Sequence, residues 1–312
     1  MNSATDNLHP RRKFLRDFLA APAMATAGFI AAPEQLTAKH NDRLDKPAAL
    51  KLSLNAYSFN KQLMDETMSI ADMLEFCAQH GLLAVDITGY YFKGYPRVPS
   101  DEAIYDVKRK AFSLGLEICG TGVRNDFTHA DPAKRRESVQ LVKSWTDVAQ
   151  KLGGQTIRVF SGTQKPEGYT RKQIFDWVVN DARECVEYGK ERGIVVALQN
   201  HDDFIKTADD TIEVMEAIRS PWSGLMLDIG SFRTGDPYDE IARTIKYAVT
   251  WQIKEKVYFQ GKEVDVDADR LMTLIRNSGF RGYLPLETLG EGDPRQKIPA
   301  LLAKFRATLA KE

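Results

Sequence analysis

Residues 194–201 read Ile-Val-Val-Ala-Leu-Gln-Asn-His, an apolar run that ends in three polar side chains. A continuous apolar run of this length is typical of a strand buried on both faces, as in a parallel sheet. A helix is predicted immediately before it, from Arg171 to Arg192. The stretch therefore predicts a helix followed by a buried parallel strand that presents polar side chains at its C-terminal end.

The same alternation of apolar strands and amphipathic helices recurs from Leu50 onward. The predicted strands cover residues 52–57, 83–87, 116–119, 156–160, 194–198, 224–228, 248–253 and 282–287. Regular strand–helix alternation predicts parallel pairing through right-handed crossovers. Eight such units match a closed barrel, so we predict one α/β domain, a (β/α)8 TIM barrel over residues 50–312.

One residue does not suit a closed barrel. Pro285 lies inside the eighth predicted strand, and a barrel offers no free edge for a residue that lacks an N–H group. We interpret it as a bulge or an irregular strand end. The alternative fold is an open, doubly wound sheet, but neither G-x-G-x-x-G nor G-x-x-x-x-G-K-[ST] follows a predicted strand. A nucleotide-binding version of that sheet is therefore disfavoured.

The N-terminal residues have a different character from the barrel. Residues 11–15 read Arg-Arg-Lys-Phe-Leu, and an alanine-rich stretch that is too short and too weakly apolar to span a membrane runs to Ala32. This pattern predicts a twin-arginine signal peptide over residues 1–32 and a polar linker over residues 33–49. We therefore expect export to the periplasm without stable membrane insertion; the alternative is an ordinary amphipathic helix.

Composition excludes several classes of partner. Lys plus Arg and Asp plus Glu both number 43, so the formal net charge is zero. A balanced charge argues against nucleic acid, and no basic amphipathic stretch indicates a membrane-surface protein. Cys77, Cys119 and Cys185 are odd in number and widely spaced, which predicts reduced core residues rather than a disulfide framework.

Polar residues gather where the predicted strands end. In a barrel of this kind the chemistry lies at the C-terminal ends of the strands, so such side chains converge on one mouth. Each alone could be solvated or could cap a helix, but the set predicts a site. Its members are Asp86, Tyr90, Arg124, Arg158, Gln199, His201, Asp228, Arg233, Gln252, Lys254 and Glu287.

Two members of this set have competing interpretations. His201 lies just beyond a strand end, unlike the other histidines, which favours a role in the site over a structural one. Lys254 could bury its stem beside Trp251, or it could reach the pocket and stabilise an oxyanion or bind a carboxylate. Strand alternation places Gln252 on the same face as Lys254 and Glu255 on the other.

The strand-end motifs resemble those of the xylose-isomerase-like TIM-barrel superfamily, and more narrowly its sugar phosphate isomerase/epimerase group. The stretches that carry the resemblance are residues 199–201, 227–231, 251–255 and 286–287. The resemblance implies a divalent metal held at Gln199, Asp228, Gln252 and Glu287. Two of these match the family pattern, whereas Gln199 replaces a Glu and Gln252 replaces a His. An all-oxygen set with two charges would suit Mn²⁺, Mg²⁺ or Ca²⁺ and would bind weakly.

The resemblance also implies removal of a proton next to a carbonyl. The leading hypothesis is an isomerase or epimerase acting on an unphosphorylated sugar or sugar derivative. Glu287 would be the base, the metal or Lys254 would hold the oxyanion, and His201 would position a hydroxyl or act as the second acid. The expected substrate contacts are Asp86, Tyr90, Arg124, Arg158 and Arg233.

Two other functions remain open. A lyase or hydratase acting on 3-keto-glycosides would need only one carboxylate base, as this site offers. A non-catalytic sugar-binding protein with a degenerate metal site would explain why glutamine stands at both Gln199 and Gln252.

Overall fold

The computed structural model describes residues 50–163 and 165–311. The strands in chain order are β1 Leu50–Asn55, β2 Ala84–Thr88, β3 Glu117–Gly122, β4 Thr156–Phe160, β5 Val195–Gln199, β6 Ser223–Asp228, β7 Ala248–Lys254, β8 Lys256–Phe259, β9 Lys262–Asp265 and β10 Gly282–Glu287. All except β8 and β9 form a closed barrel in the order β1-β10-β7-β6-β5-β4-β3-β2, and every recorded barrel pair is parallel. The predicted (β/α)8 barrel is confirmed, and the open sheet is excluded.

Helices follow the barrel strands along the chain. They are α1 Asn60–Met64, α2 Ile70–Gln79, α3 Asp101–Ser113, α4 Pro132–Leu152, α5 Arg171–Arg192, α6 Ala208–Ile218, α7 Pro237–Thr244, α8 Ala268–Asn277 and α9 Pro294–Leu309. Helix α4 begins with Pro132 after Asp131, whose carboxylate accepts a hydrogen bond from the Ala133 amide. It ends at Gly153, whose φ of 85° suits glycine. Because the barrel strands are parallel, the loops that follow their C-terminal ends lie on the same side of the barrel.

The first strand ends earlier than predicted. It stops at Asn55, and residues Ala56–Phe59 form a short 3-10 helix. The Asn55 side chain accepts a hydrogen bond from the Tyr57 amide at 2.9 Å, which ends the extended conformation. Tyr57 consequently leaves the strand and lines the mouth of the barrel.

Pro285 lies within β10 without a bulge towards β1. Its Cα partner is Ser53, and the β1–β10 register runs unbroken from Leu50 to Leu54. Pairing of β10 with β7 is recorded only for Leu286 and Glu287, after the proline. Of the two interpretations, a bulge towards β1 is absent. The pairing is irregular on the other side, because the proline lies in the part of β10 for which no pairing with β7 is recorded.

An antiparallel hairpin that the sequence reading missed follows the seventh barrel strand. Strand β8 pairs with β9 from Lys256 opposite Asp265 to Phe259 opposite Lys262. Gln260 and Gly261 connect the strands with φ values of 49° and 77°, as expected for a tight two-residue hairpin turn. One residue, Glu255, separates the hairpin from β7.

Large apolar side chains fill the space between the barrel and its helices. Trp145, Trp251 and Phe305 are each fully buried. The cysteines are all buried and free, which confirms the prediction of reduced core residues. No helix among the described residues is long and apolar enough to cross a membrane. The predicted signal peptide over residues 1–32 and linker over residues 33–49 lie outside the described residues.

Candidate active site

A cavity of about 590 Å³ occupies the mouth of the barrel at the C-terminal ends of the strands. Its lining comes from loops and strand ends all around the barrel. The lining residues are Tyr57, Tyr90, Arg124, Asn125, Asp126, Arg158, Phe160, Thr163, Gln199, His201, Asp203, Ser231, Arg233, Gln252, Lys254, Glu287 and Leu289. Most of the residues predicted from strand-end positions therefore meet in one cavity.

A continuous chain of polar contacts crosses the floor of this cavity. The Gln199 amide nitrogen donates to Asp228 Oδ2 at 2.9 Å and to Gln252 Oε1 at 2.5 Å. The Gln252 amide nitrogen donates to Glu287 Oε1 at 3.1 Å. Lys254 Nζ lies 2.8 Å from Asp228 Oδ2 and 3.3 Å from Glu287 Oε2. The floor thus joins two buried carboxylates, two amides and one ammonium group.

The backbone around Asp228 is held in place by Asn200. The Asn200 amide nitrogen donates to the Asp228 carbonyl at 2.9 Å, and the Asp228 amide donates to Asn200 Oδ1 at 2.9 Å. The Gly230 amide donates to Asp228 Oδ1 at 2.9 Å. These bonds fix the ends of β5 and β6 relative to each other, so the floor is preorganised.

Burial and the neighbouring charges set the protonation states of the floor. Burial raises the pKa of Glu287, the Lys254 ammonium opposes that rise, and Asp228 adds to it, giving a value of about 7. Burial alone would lower the pKa of Lys254, but the attraction of Asp228 and Glu287 outweighs it and raises that pKa. Lys254 therefore stays charged at neutral pH, while Glu287 exchanges its proton near neutrality.

The floor does not have the chemistry of a divalent-metal site. The predicted positions are Gln199, Asp228, Gln252 and Glu287, but the Gln199 amide nitrogen faces the Asp228 carboxylate and the Lys254 ammonium contacts both carboxylates. Among the described residues, no group of three or more His, Cys, Asp or Glu side chains could hold a metal ion. As arranged, these residues do not fit the metal that the resemblance implies.

A cationic wall stands on one side of the cavity. The buried Arg158 guanidinium donates to the Val123 carbonyl at 2.7 Å and to the Tyr90 hydroxyl at 3.0 Å. The Arg124 guanidinium lies over the Tyr90 ring, 4.6 Å from its centroid. Tyr90, Arg124 and Arg158 therefore contact one another on this wall, which combines positive charge with a hydroxyl group.

His201 and Arg233 line other parts of the cavity. The His201 ring contacts Phe160 with centroids 4.6 Å apart. The His201 side chain keeps access to solvent, but the surrounding mouth partly desolvates it, and this lowers its pKa. The Asp228 carboxylate opposes the lowering of this pKa, and the Lys254 ammonium adds to it. Arg233 Nε lies 3.3 Å from Asp202 Oδ2. His201 is thus neutral at neutral pH and can donate or accept a hydrogen bond.

Asp86, predicted as a substrate contact, lies too deep for that role. Its carboxylate is buried, accepts a long hydrogen bond of 3.5 Å from Asn55, and does not line the cavity. Burial raises the pKa of Asp86 to about 6, with Arg158 opposing the shift. The geometry supports a structural role for Asp86 beneath the floor.

Asp203 is a cavity residue that the sequence reading missed. Its Oδ1 accepts a hydrogen bond from the Ser161 hydroxyl at 2.7 Å, while its Oδ2 is buried without a protein partner. Burial raises the pKa of Asp203 to about 6, and the Ser161 hydroxyl opposes that rise. The signal available in the sequence was its place two residues after His201, on the same loop.

The chain belongs to the xylose isomerase-like TIM barrel family, whose pattern matches residues 74–308. No functionally curated protein matches the chain at a significant level.

Solved structures share the same architecture. D-psicose 3-epimerase from Clostridium cellulolyticum H10 superposes with a TM-score of 0.69 at 16% identity, over 83% of this chain and 99% of that one. The 3-keto-D-glucoside 4-epimerase of E. coli gives 0.67 at 14% identity, over 83% and 99%. A probable 3-DHS dehydratase of Bacillus anthracis involved in petrobactin synthesis gives 0.62 at 17% identity, over 81% and 97%. Identities this low establish the fold.

Proposed function

We propose that the protein is a sugar isomerase or epimerase that removes a proton next to the carbonyl of an unphosphorylated sugar or sugar derivative. The observation that carries this proposal is the pairing of Glu287 with Lys254 on the cavity floor, where their charged atoms lie 3.3 Å apart. A base beside a cation is the combination that enolisation needs, because the base takes the proton from carbon while the cation stabilises the negative charge that develops on the neighbouring carbonyl oxygen.

In this scheme Glu287 takes the proton from carbon. Isomerisation follows when Glu287 returns the proton to the neighbouring carbon, whereas epimerisation needs a second acid that protonates the same carbon from the opposite face. The Lys254 ammonium donates a hydrogen bond to the carbonyl oxygen as it becomes an enediolate oxygen. Lys254 is suited to this because its side chain is only 14% exposed, so water screens its charge little. His201 would hold a substrate hydroxyl or act as the second acid.

The polar lining supports a sugar as the substrate. Gln199 Oε1 is buried and has no protein partner, so a substrate hydroxyl can donate to it. Tyr90, Arg124 and Arg158 offer a hydroxyl and guanidinium donors to the remaining oxygens. Solved structures with the same fold are named as epimerases of D-psicose and of a 3-keto-D-glucoside, which supports a polyhydroxy carbonyl compound as the substrate.

A second candidate is a lyase or hydratase acting on 3-keto-glycosides. It is favoured by the state of Asp228, whose Oδ1 accepts from the Gly230 amide and whose Oδ2 accepts from Gln199 and Lys254. Asp228 thus has three donors and does not line the cavity, whereas Glu287 does, so Glu287 is left as the base. One base suffices when the enediolate expels a substituent from the next carbon instead of being reprotonated.

The location of the reaction is also a proposal. The sequence pattern of residues 1–32 supports export by the twin-arginine route to the periplasm. Phosphorylated sugars are scarce there, which is the reason for proposing an unphosphorylated substrate.

Proton NMR in D₂O tests the proposal with ketoses, aldoses and 3-keto-glycosides, with and without EDTA. Deuterium entering next to a carbonyl with a new isomer supports the isomerase, whereas a released aglycone or an unsaturated sugar supports the lyase. Glu287→Gln should abolish either reaction. Glu255→Gln is the matched control, because Glu255 pairs with Lys297 at 3.0 Å and does not line the cavity. Binding of these compounds without exchange would refute Glu287 as their base.

A further inference from the structure

Both carboxylates of the cavity floor are already paired with a resident cation. Lys254 Nζ contacts Asp228 Oδ2 at 2.8 Å and Glu287 Oε2 at 3.3 Å, and the two acids are 0% and 3% exposed. The carboxylate oxygens that a divalent cation would use as ligands are the ones that Lys254 already contacts. Here the divalent cation would have to displace an ammonium group or lie within a few ångströms of it, where like charges repel strongly.

The amide groups face the wrong way for metal ligands. Gln199 turns its NH₂ group towards Asp228 Oδ2 and Gln252 Oε1. The carboxylate fixes this orientation, because rotating the amide would bring an oxygen against Asp228. Gln252 uses its oxygen to accept from Gln199 and its nitrogen to donate to Glu287. The amides therefore hold the carboxylates around Lys254 instead of offering a ring of oxygen donors.

The backbone leaves a place for the lysine. A Cβ atom at Gly230 would lie 2.7 Å from Lys254 Cδ, closer than non-bonded carbon atoms approach. Gly230 has no positive φ, so its backbone conformation does not require glycine. The lack of room for a side chain explains why glycine stands at position 230, because the stem of Lys254 passes over the Gly230 backbone. The Gly230 amide also donates a hydrogen bond to Asp228.

We propose that in this protein the Lys254 ammonium takes the place of the divalent cation, so that the strand-end positions bind no divalent metal and the site works without one. The claim that the site works without a metal rests on the proposed function. The claim that no divalent metal binds is independent of the proposed function, because metal binding is measured without any substrate.

Metal content and thermal stability test the exclusion directly. The full chain, purified without a histidine tag, is incubated with MnCl₂ or CoCl₂, desalted and analysed by plasma mass spectrometry. We expect fewer than about 0.1 metal ions per chain, and no change in Tm with about 1 mM MnCl₂, because a ligand that binds the native state would raise Tm. Activity found in the NMR assay should be unchanged by EDTA.

Substitutions that restore metal-type donors show which residue excludes the metal. Gln199→Glu with Gln252→His recreates the family's donor types, and adding Lys254→Met removes the ammonium. We expect the triple variant to bind about one Mn²⁺ per chain, with an affinity at least about tenfold higher than that of the double variant. Its Tm should also rise when Mn²⁺ is added. Lys256→Met added to the double variant is the control, because Lys256 pairs with Asp265 on the exposed hairpin.

Three results would overturn the proposal: a stoichiometric metal in the wild-type chain, activity abolished by EDTA, or equal Mn²⁺ affinity in the double and triple variants. Circular dichroism shows whether each variant folds, and the wild-type metal analysis decides the question even if a variant does not. A wild-type protein that excludes metal but processes no sugar in the panel would contradict the proposed function and leave the metal exclusion standing.

Discussion

Asn200 and Asp228 exchange two hydrogen bonds, one from the Asn200 side chain to the Asp228 carbonyl and one from the Asp228 amide to Asn200 Oδ1, both at 2.9 Å. Asn200 comes directly after β5, and Asp228 is the last residue of β6. A single side chain thereby fixes the relative position of two strand ends that carry the floor of the cavity. The site depends on Asn200 although Asn200 does not line the cavity.

Replacement of Asn200 by alanine should therefore reduce both stability and activity. The substitution leaves a buried N–H and a buried carbonyl of Asp228 without these partners, and each unsatisfied group costs about 1–3 kcal/mol. We expect Tm to fall by at least several degrees, and kcat to fall because Asp228 and Lys254 lose their fixed geometry. Asn277→Ala, at the exposed end of α8, is the control; equal losses in the two variants would contradict the role of Asn200.

The architecture of the barrel could be predicted from the sequence because the sequence patterns that indicate it are local. The apolar run of residues 194–198 marks a strand buried on both faces, and Pro132 marks a helix start; both features lie where expected. The location of the site at the mouth could be predicted for a related reason, since the parallel strands of a barrel all end on one side. Residues that follow such strands, including His201 and Lys254, had to meet there.

Features that depend on how deeply a side chain is buried, or on irregular backbone, could not be predicted from the sequence. Tyr57 enters the cavity because Asn55 ends β1 early, and Asp86 falls below the floor although it too lies near a strand end. Neither outcome follows from strand alternation alone. The hairpin could have been found, because Gln260-Gly261 stands between two short alternating segments.

Gly230→Ala should damage the site while leaving the fold intact. The added methyl group would lie 2.7 Å from Lys254 Cδ, so the lysine stem must move away from the two carboxylates. We expect kcat to fall at least about tenfold, since removing one donor to a developing oxyanion costs 10²–10³-fold in rate. Gly235→Ala is the control, because the nearest atom to its added Cβ, Glu240 Oε1, lies 3.7 Å away. Comparable activity of the two variants would show that the position of Lys254 does not matter.

Activity should rise with pH around neutrality. Glu287 accepts a proton only when ionised, and burial together with Asp228 raises its pKa to about 7 against the opposing effect of Lys254. The kcat/KM of the wild-type protein should therefore increase through a midpoint at about pH 7 and level off about one pH unit or more above that midpoint. In Lys254→Met the opposing cation is lost, so the pKa of Glu287 and the midpoint of the profile should both move to higher pH. An unchanged midpoint would show that another group controls the profile.

Asp86→Asn should stabilise the protein at neutral pH and not at acidic pH. Burial raises the pKa of Asp86 to about 6 from 3.8, with Arg158 opposing, so the folded state binds this proton more tightly than the unfolded chain does. Its contribution to stability is therefore greatest below about pH 4 and is lost as pH rises through about 6. The neutral amide avoids that loss, which amounts to at most about 3 kcal/mol.

Thermal unfolding followed by circular dichroism at pH 4.5 and pH 7.5 measures this effect as a difference from the wild type. The difference is needed because Asp203 and Glu287 also have raised pKa values and shift the wild-type curve in the same direction. We expect the Asp86→Asn chain to unfold a few degrees higher than the wild type at pH 7.5, with the gap closing at pH 4.5. Asp106→Asn, at a side chain that is 63% exposed, is the control. A variant that is less stable than the wild type at pH 7.5 would mean that the Asp86 charge is needed to hold Arg158 and Tyr90 in the cavity wall.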